Sequence, residues 1–383
     1  MWTKTLLNNY LEENKERNKR GIFTKNHVLS VSGDFGIVNQ IELLGRSFAG
    51  KSVLDYHVVR TGNIVYTKSP LKEYPYGIVK VNRGVDGIVS TLYAVYKVKE
   101  TANGKFVEYY FGLPNRTNRY FKPIVRIGAK HDMKIGNDEV LANYVVFPCV
   151  DEQKRISDFI CLLDERIATQ IKIIEKLESL IRGIVETHYS QSECVNQVRI
   201  SELGEPFSTM NMSKEDLSEE GNECILYGEL FTTYGCVIKE VKSRTHISTN
   251  KATVSQSNDL LFPASTTVDA MSLIAPSAIC KEGVILGGDL FGVHVNKKYN
   301  NEYLSYLINY IYKSKLARYA QGSTIIHLHY SDIKNATLLL PTIEEQNYLV
   351  HLMRGVEEKI NIEKDMLSKL YSLKAYLLSN LFI

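Results

Sequence analysis

The stretch PCVDEQKRISDFICLLDERI, Pro148 to Ile167, reads as the opening of a long helix, and the chain writes it twice. The second copy is PTIEEQNYLVHLMRGVEEKI, Pro341 to Ile360. Pro148 matches Pro341, Glu152 matches Glu345 and Gln153 matches Gln346, each 193 residues apart. The offset holds without a gap through Ile167/Ile360, Lys176/Lys369, Leu177/Leu370, Ser179/Ser372 and Leu180/Leu373. Each Pro closes an apolar, strand-like run, VVF or TLLL, and an acidic first turn follows, which suits the positive end of a helix. A heptad then begins. Its first seam is Ile160, Leu163, Ile167, Gln170, Ile174, Leu177, Ile181 and Ile184; its second is Met353, Val356, Ile360, Glu363, Leu367, Leu370, Lys374 and Leu377. Steps alternating between three and four residues are the mark of a coiled coil. Neither helix contains Pro after that opening residue, and only Gly183 and Gly355 interrupt them.

Both seams agree in length and phase, and both carry a polar residue at the same position, Gln170 and Glu363. The two helices are therefore expected to pack on one another, antiparallel, with that polar layer fixing register. A helix of about 37 residues is about 55 Å long, a ruler more than a catalytic element. The segments between the helices also correspond, more weakly. TGNIVYTKSP (61–70) resembles SNDLLFPAS (257–265), and GIVSTLYAVYKV (87–98) resembles VILGGDLFGVHVN (284–296). Both are β-rich with Gly turns. Each is followed by an aromatic stretch and a Gly-containing loop, IGAKHDMKI (127–135) or QGSTIIHLH (321–329). The expected class is α+β: two β-rich domains, 1–147 and 191–340, separated by two long antiparallel coiled-coil helices, 148–190 and 341–383, with internal pseudo-two-fold symmetry.

The chain has 383 residues and a net charge of +3, but residues 1–148 alone carry 22 Lys+Arg against 13 Asp+Glu, while residues 191–340 are net acidic by 3. A polyanion partner is plausible for the first segment. No apolar run reaches the about 18 residues of a membrane span, and the polar N-terminal stretch does not read as a signal peptide. Six scattered Cys without a C-x-x-C pair fit a reduced, cytoplasmic setting and suggest no metal site. One octet competes for a different reading. GRSFAGKS, Gly45 to Ser52, fits the phosphate-loop pattern G-x-x-x-x-G-K-[ST]. Such a loop requires a helix to start at once behind it, and VLDYHVVRTGN opens none.

The order of β-rich module, Pro-x-x-x-Glu-Gln and long heptad helix, stated twice over essentially the whole chain, resembles the DNA-specificity (S) subunits of Type I restriction–modification systems. LYGELF…NDLLFPAS and KERNKRGIFTKNHVLSVSGDFGIVNQ add to the likeness. The resemblance implies two target-recognition domains, each reading half of a bipartite double-stranded DNA sequence. It implies helices that set the gap and dock two methyltransferase (M) subunits, and two restriction (R) subunits where a nuclease joins. It implies no catalysis and no cofactor in this chain, with S-adenosylmethionine and ATP/Mg on the partners. The residues agree, since neither an N-P-P-[YF] motif nor a Gly-rich cofactor loop is present. The competing readings are an orphan subunit serving another system's methyltransferase, a P-loop NTPase using Gly45 to Ser52, and a coiled-coil adaptor that never touches DNA.

Base readout needs side chains on loops beside the β-modules. In the first module the candidates are Arg46, Lys51, Lys68, Ser69, Tyr74, Tyr76 and Lys130. In the second they are Tyr227, Tyr234, Arg244, Ser265, Thr266, Ser323 and Thr324. Exposed apolar positions outside the seams, such as Phe159 and Leu352, are candidates for holding the partner subunits. One helical turn inserted after Ile174 is expected to widen the gap in the recognised sequence.

Overall fold

The computed structural model describes residues 1–50, 52–70, 74–127, 133–192 and 195–382. They form two compact units, residues 1–171 with 365–383, and residues 172–364. Each unit therefore takes a β-rich module and half of each long helix. The helices span Val150–Gln191 and Ile343–Asn380, 42 and 38 residues.

In the first unit an antiparallel sheet runs in the order Leu11–Glu13, Ala94–Val98, Ile64–Tyr66, Val79–Val81. Its central strands are buried on both faces, so their sequence reads as continuous apolar runs rather than alternation. Ile64, Tyr66 and Tyr96 enter an aromatic core with Phe106, Phe121 and Phe147. Val65 and Val95 enter a second core with Leu29, Val59 and Val89. Tyr66 and Phe121 stack with ring centroids 4.4 Å apart. Helices Gly104–Tyr110 and Pro114–Phe121 close the aromatic side.

The second unit repeats the plan. Its five-stranded sheet runs Gly204–Ser208, Leu290–Val295, Asp259–Pro263, Ser277–Ile279, Val237–Ile238, with the last pair parallel. A four-stranded sheet built on the parallel pair Asn222–Leu226 and Ile285–Gly287 has strands that interleave with these along the chain. Helix Asn301–Leu307 corresponds to Gly104–Tyr110, and it runs on through one π turn, Ile308–Tyr312, into Lys313–Ala317.

The 193-residue offset extends to backbone pairing. Thr3–Leu6 pairs antiparallel with Tyr144–Phe147, and Asn196–Arg199 pairs antiparallel with Thr337–Leu340. In both units the second strand of this pair delivers the chain to the Pro that starts the long helix.

The helix segments run antiparallel within each unit. In the first, Ile156 and Ile160 pack in one cluster with Leu378, Leu381 and Phe382, while Asp164 meets Lys374 further along. In the second, Glu178 meets Lys364, and His188 feels the charge of Glu345. Of the sixteen seam positions, Ile160, Leu163, Ile167, Gln170, Ile174, Ile181, Met353 and Ile360 are buried; the other eight are half-buried. Glu363 forms an ion pair at 2.5 Å with Lys359 on its own helix.

Candidate nucleic-acid interface

Three loops of the second unit border one groove of about 1060 Å³. The first loop leaves strand Asn222–Leu226 and holds the short helix Glu229–Thr232. The second leaves strand Asp259–Pro263, and the third precedes His329. Ser265 and Thr266 pair antiparallel with Ile326 and His327, which joins the second loop to the third. Tyr227, Tyr234, Ser265 and Thr266 all line the groove. Ser323 and Thr324 stand exposed on the adjoining tip. Gln321 and His327 exchange backbone hydrogen bonds of 2.9 and 2.7 Å below that tip. Gly322 has φ +115°, and a Cβ there would fall 2.1 Å from the Ile325 carbonyl oxygen, so the turn needs glycine. Hydroxyls, an amide, two cations and one carboxylate, Asp289, thus line a concavity whose lip carries exposed Val268, Met271 and Ile325. Donors and acceptors serve base edges or phosphates, and apolar tips suit a thymine methyl.

Within this set the roles differ. Ser265 is buried, so it positions its loop more than it reaches outward. The Tyr234 hydroxyl accepts from the Lys242 backbone N–H at 3.0 Å, and burial holds its pKa above the ordinary range. Arg244 is exposed but lies on strand Ser243–Thr245, away from the groove lining, and its guanidinium donates to the Gly221 carbonyl at 2.9 Å. Arg182, Asn309, Tyr310 and Lys313 also line the groove. The sequence reading missed them because one lies on the long helix, two lie within a π turn that breaks the helical period, and one follows it.

The first unit assembles its candidates differently. Lys51 and Lys130 lie outside the described residues. Lys68 is half-buried and held within its own unit. Its ammonium turns inward, donating to the Ile135 carbonyl at 3.0 Å and to Asn137 Oδ1, and burial lowers its pKa. Its backbone sits at φ 48°, a left-handed position for a side-chain-bearing residue. The Ser69 hydroxyl donates to the Thr67 carbonyl at 3.2 Å. The Tyr74 hydroxyl donates to the Gly112 carbonyl at 2.5 Å. The Tyr76 ring packs on the aromatic core, and its carbonyl accepts from the Tyr66 hydroxyl. These four shape the loop after the central strand. Arg46 alone of the described candidates in this unit is exposed, its guanidinium over the Phe48 ring at 4.6 Å.

The octet at Gly45 does not form a phosphate loop. Gly45 ends the helix Gln40–Leu44 in left-handed conformation, and no helix starts among the described residues up to strand His57–Val59. The loop therefore meets the carbonyl end of a helix, the wrong pole for a phosphate.

The repeated Glu-Gln motif has a physical role in each unit. Gln153 is fully buried; its Nε2 donates to the Pro148 carbonyl at 2.9 Å, and its Oε1 accepts from the Asn103 N–H at 2.9 Å. Asn103 caps the aromatic helix Gly104–Tyr110. Gln346 does the same with the Pro341 carbonyl (2.9 Å) and the N–H of Asn300 (3.0 Å), the cap of Asn301–Leu307. A second clasp repeats too. The Tyr109 hydroxyl donates to Asp164 at 2.8 Å, and Lys374 lies 2.6 Å from the same carboxylate. The Tyr306 hydroxyl donates to Glu357, 193 residues after Asp164, and Lys239 lies 2.9 Å from it. Each module is thus clamped to its own helix start at two points.

Outside the seams, exposed apolar side chains recur at the same offset: Phe159 and Leu352 are 52% and 41% exposed, Leu180 and Leu373 47% and 45%. Among the described residues, no helix is long and apolar enough to cross a membrane, and no three His, Cys, Asp or Glu side chains converge as metal ligands.

Comparison with known proteins bears on this arrangement. Residues 193–371 match the family model of the Type I restriction modification DNA specificity domain. A curated relative is the MjaX specificity subunit assigned to a type I restriction enzyme of Methanocaldococcus jannaschii. It is 23% identical over 248 residues, 59% of this chain, and the match spans only 56% of that relative's length. The S subunit of a Type I restriction–modification system from M. genitalium superposes with a TM-score of 0.59 at 13% identity, covering 100% of this chain and 96% of that one. A chain of a type I R-M system, studied for its complex assembly and conformational transition, superposes at 0.58 with 14% identity, covering 99% and 96%. At these identities the two superpositions establish the fold.

Proposed function

We propose that this chain is a specificity (S) subunit of a Type I restriction–modification system and that each of its two modules reads one half of a bipartite double-stranded DNA target. The long helices set the spacing between the halves and dock two methyltransferase subunits, with two restriction subunits joining where the system cuts. The chain itself is a non-catalytic reader. S-adenosylmethionine, ATP and Mg are used by the partner subunits, and the complex works in the cytoplasm.

The observation that carries this reading is the duplicated clamp. Gln153 and Gln346, buried and sharing the same two bonds, fix two β-modules of one plan onto the starts of two long helices. A rigid joint of that kind is what a reader with a fixed spacer needs, and a catalyst does not need it twice. The matched exposed pairs Phe159/Leu352 and Leu180/Leu373 support two equivalent docking surfaces. In the second module the groove residues Tyr227, Tyr234 and Thr266, with the tip residues Ser323 and Thr324, are the assigned readers. In the first, Arg46 is.

The test is a methylated-adenine map of the genome with and without this gene. The expected loss is one motif of two short half-sites around a fixed spacer. A map that is unchanged in the presence of an intact partner methyltransferase would overturn the reading.

A further inference from the structure

We propose that Arg182 and Lys313 together form a seat for one phosphate of the DNA backbone in the second unit's groove, so that the first long helix touches DNA directly. The inference rests on the groove being the nucleic-acid interface.

Arg182 lies off the seam on the exposed side of the helix Val150–Gln191, and it lines the groove with Lys313. Its guanidinium sits over the Tyr310 ring, 5.7 Å from the centroid. Tyr310 belongs to the π turn Ile308–Tyr312, where an extra residue per turn re-aims the side chains that follow. That turn is braced at both ends. Asn309 Nδ2 donates to the Pro276 carbonyl at 2.8 Å, and the Tyr312 hydroxyl accepts from the Leu339 N–H at 2.8 Å and meets the Tyr189 hydroxyl at 2.9 Å. The brace fixes the ring on which Arg182 rests and places Lys313 immediately after it.

Lys239, Lys242, Lys281, Arg354, Lys359 and Lys364 of this unit each meet a carboxylate within 4 Å. Arg182 and Lys313, like Lys172, Arg199, Arg318 and Lys334, have no such partner among the described residues, and they are the Lys and Arg side chains that line the groove. Lys313 is half-exposed; burial first, and the charge of Arg182 as well, push its pKa below the ordinary range, against the pull of Cys236 and Asp269. Asp269 is occupied as the cap of Ser272. Two like charges left beside one another in a partly desolvated groove are stabilised by an anion between them. Thr266, Thr267 and Ser272 line the same space and supply hydroxyl donors. A phosphodiester fits this set, because backbone contacts come from Arg, Lys and hydroxyls and carry register rather than sequence.

The experiment measures binding of the complex, this chain with its methyltransferase subunits, to a duplex carrying the mapped target and to a duplex with one half-site scrambled. Salt is varied across the series. Arg182→Gln and Lys313→Gln are each expected to lower the slope of log K against log salt by about 0.9 and to weaken binding about five-fold near 0.15 M salt. Both duplexes should lose affinity equally. Arg182→Lys, which keeps the charge, should restore the slope and shows that the fold is intact. An unchanged slope in both Gln variants, or a loss confined to the intact target, would overturn the seat. Absence of binding by the unsubstituted complex would instead overturn the functional reading beneath it.

Discussion

Gln153 and Gln346 show how one residue type can carry a whole joint. Each amide side chain is buried and satisfied on both sides, by a Pro carbonyl and by the N–H of a helix cap. Replacing either with Leu removes its bonds and leaves a buried donor and acceptor unmatched, a loss of about 1–3 kcal/mol. Urea unfolding of Gln153→Leu should shift its midpoint accordingly, and Gln346→Leu should do the same for the second unit. His57 makes a separate statement. It is buried on strand His57–Val59, its Nδ1 finds no partner among the described residues, and burial with Arg17 and Lys68 pushes its pKa down to about 4. The neutral ring is the folded form, so its contribution is complete above pH 6.5 and is lost as pH falls toward 4. The unfolding midpoint of the parent should fall between pH 7.5 and 5, and His57→Leu should flatten that fall. The motif Gln was legible because it is repeated; what it bonds was not, because Asn103 and Asn300 lie about 50 residues before it. The surroundings of Lys68 were hidden for a similar reason. A lysine in a polar loop reads as a surface cation, and only the fold brings the Ile135 carbonyl and Asn137 under it.

The long helices were the most legible elements, since a period of 3.5 survives any tertiary context. All sixteen seam positions are buried or half-buried. At 42 and 38 residues the helices are about 63 and 57 Å long, longer than the motif alone suggests, because Gln191 and Asn380 lie beyond the last seam residue. The β-modules were legible as β-rich but not in topology. Their central strands are apolar on both faces, and the parallel pairs Val237–Ile238/Ser277–Ile279 and Asn222–Leu226/Ile285–Gly287 join strands far apart in sequence. The π turn at Ile308–Tyr312 left no mark in composition, so the groove residues behind it stayed hidden. The helices also yield a prediction. Four residues added after Ile174 and four after Met366 form a matched stutter that keeps the seams facing. Each helix lengthens by about 6 Å, and the mapped spacer should grow by about two base pairs, with both half-sites unchanged.

At the scale of the whole molecule, sequence order and packing order disagree. The first unit needs residues 365–383, and Phe382 lies against Phe106 at 5.2 Å and Arg116 at 2.9 Å from its carbonyl. A fragment ending at Gln191 should therefore expose the surface around Phe106, Ile156 and Ile160 and bind a hydrophobic dye. Adding the fragment from residue 192 onward should quench that dye signal and restore cooperative unfolding; two fragments that stay dye-binding after mixing would show that the closing contacts need a continuous chain. The same arrangement imposes a schedule on synthesis. At 5 to 20 residues per second, about 10 to 40 s separate the ribosome's addition of Ile171 from that of Phe382. Throughout that interval the earlier module has an open flank, and whatever shields nascent chains must hold it until the last helix arrives.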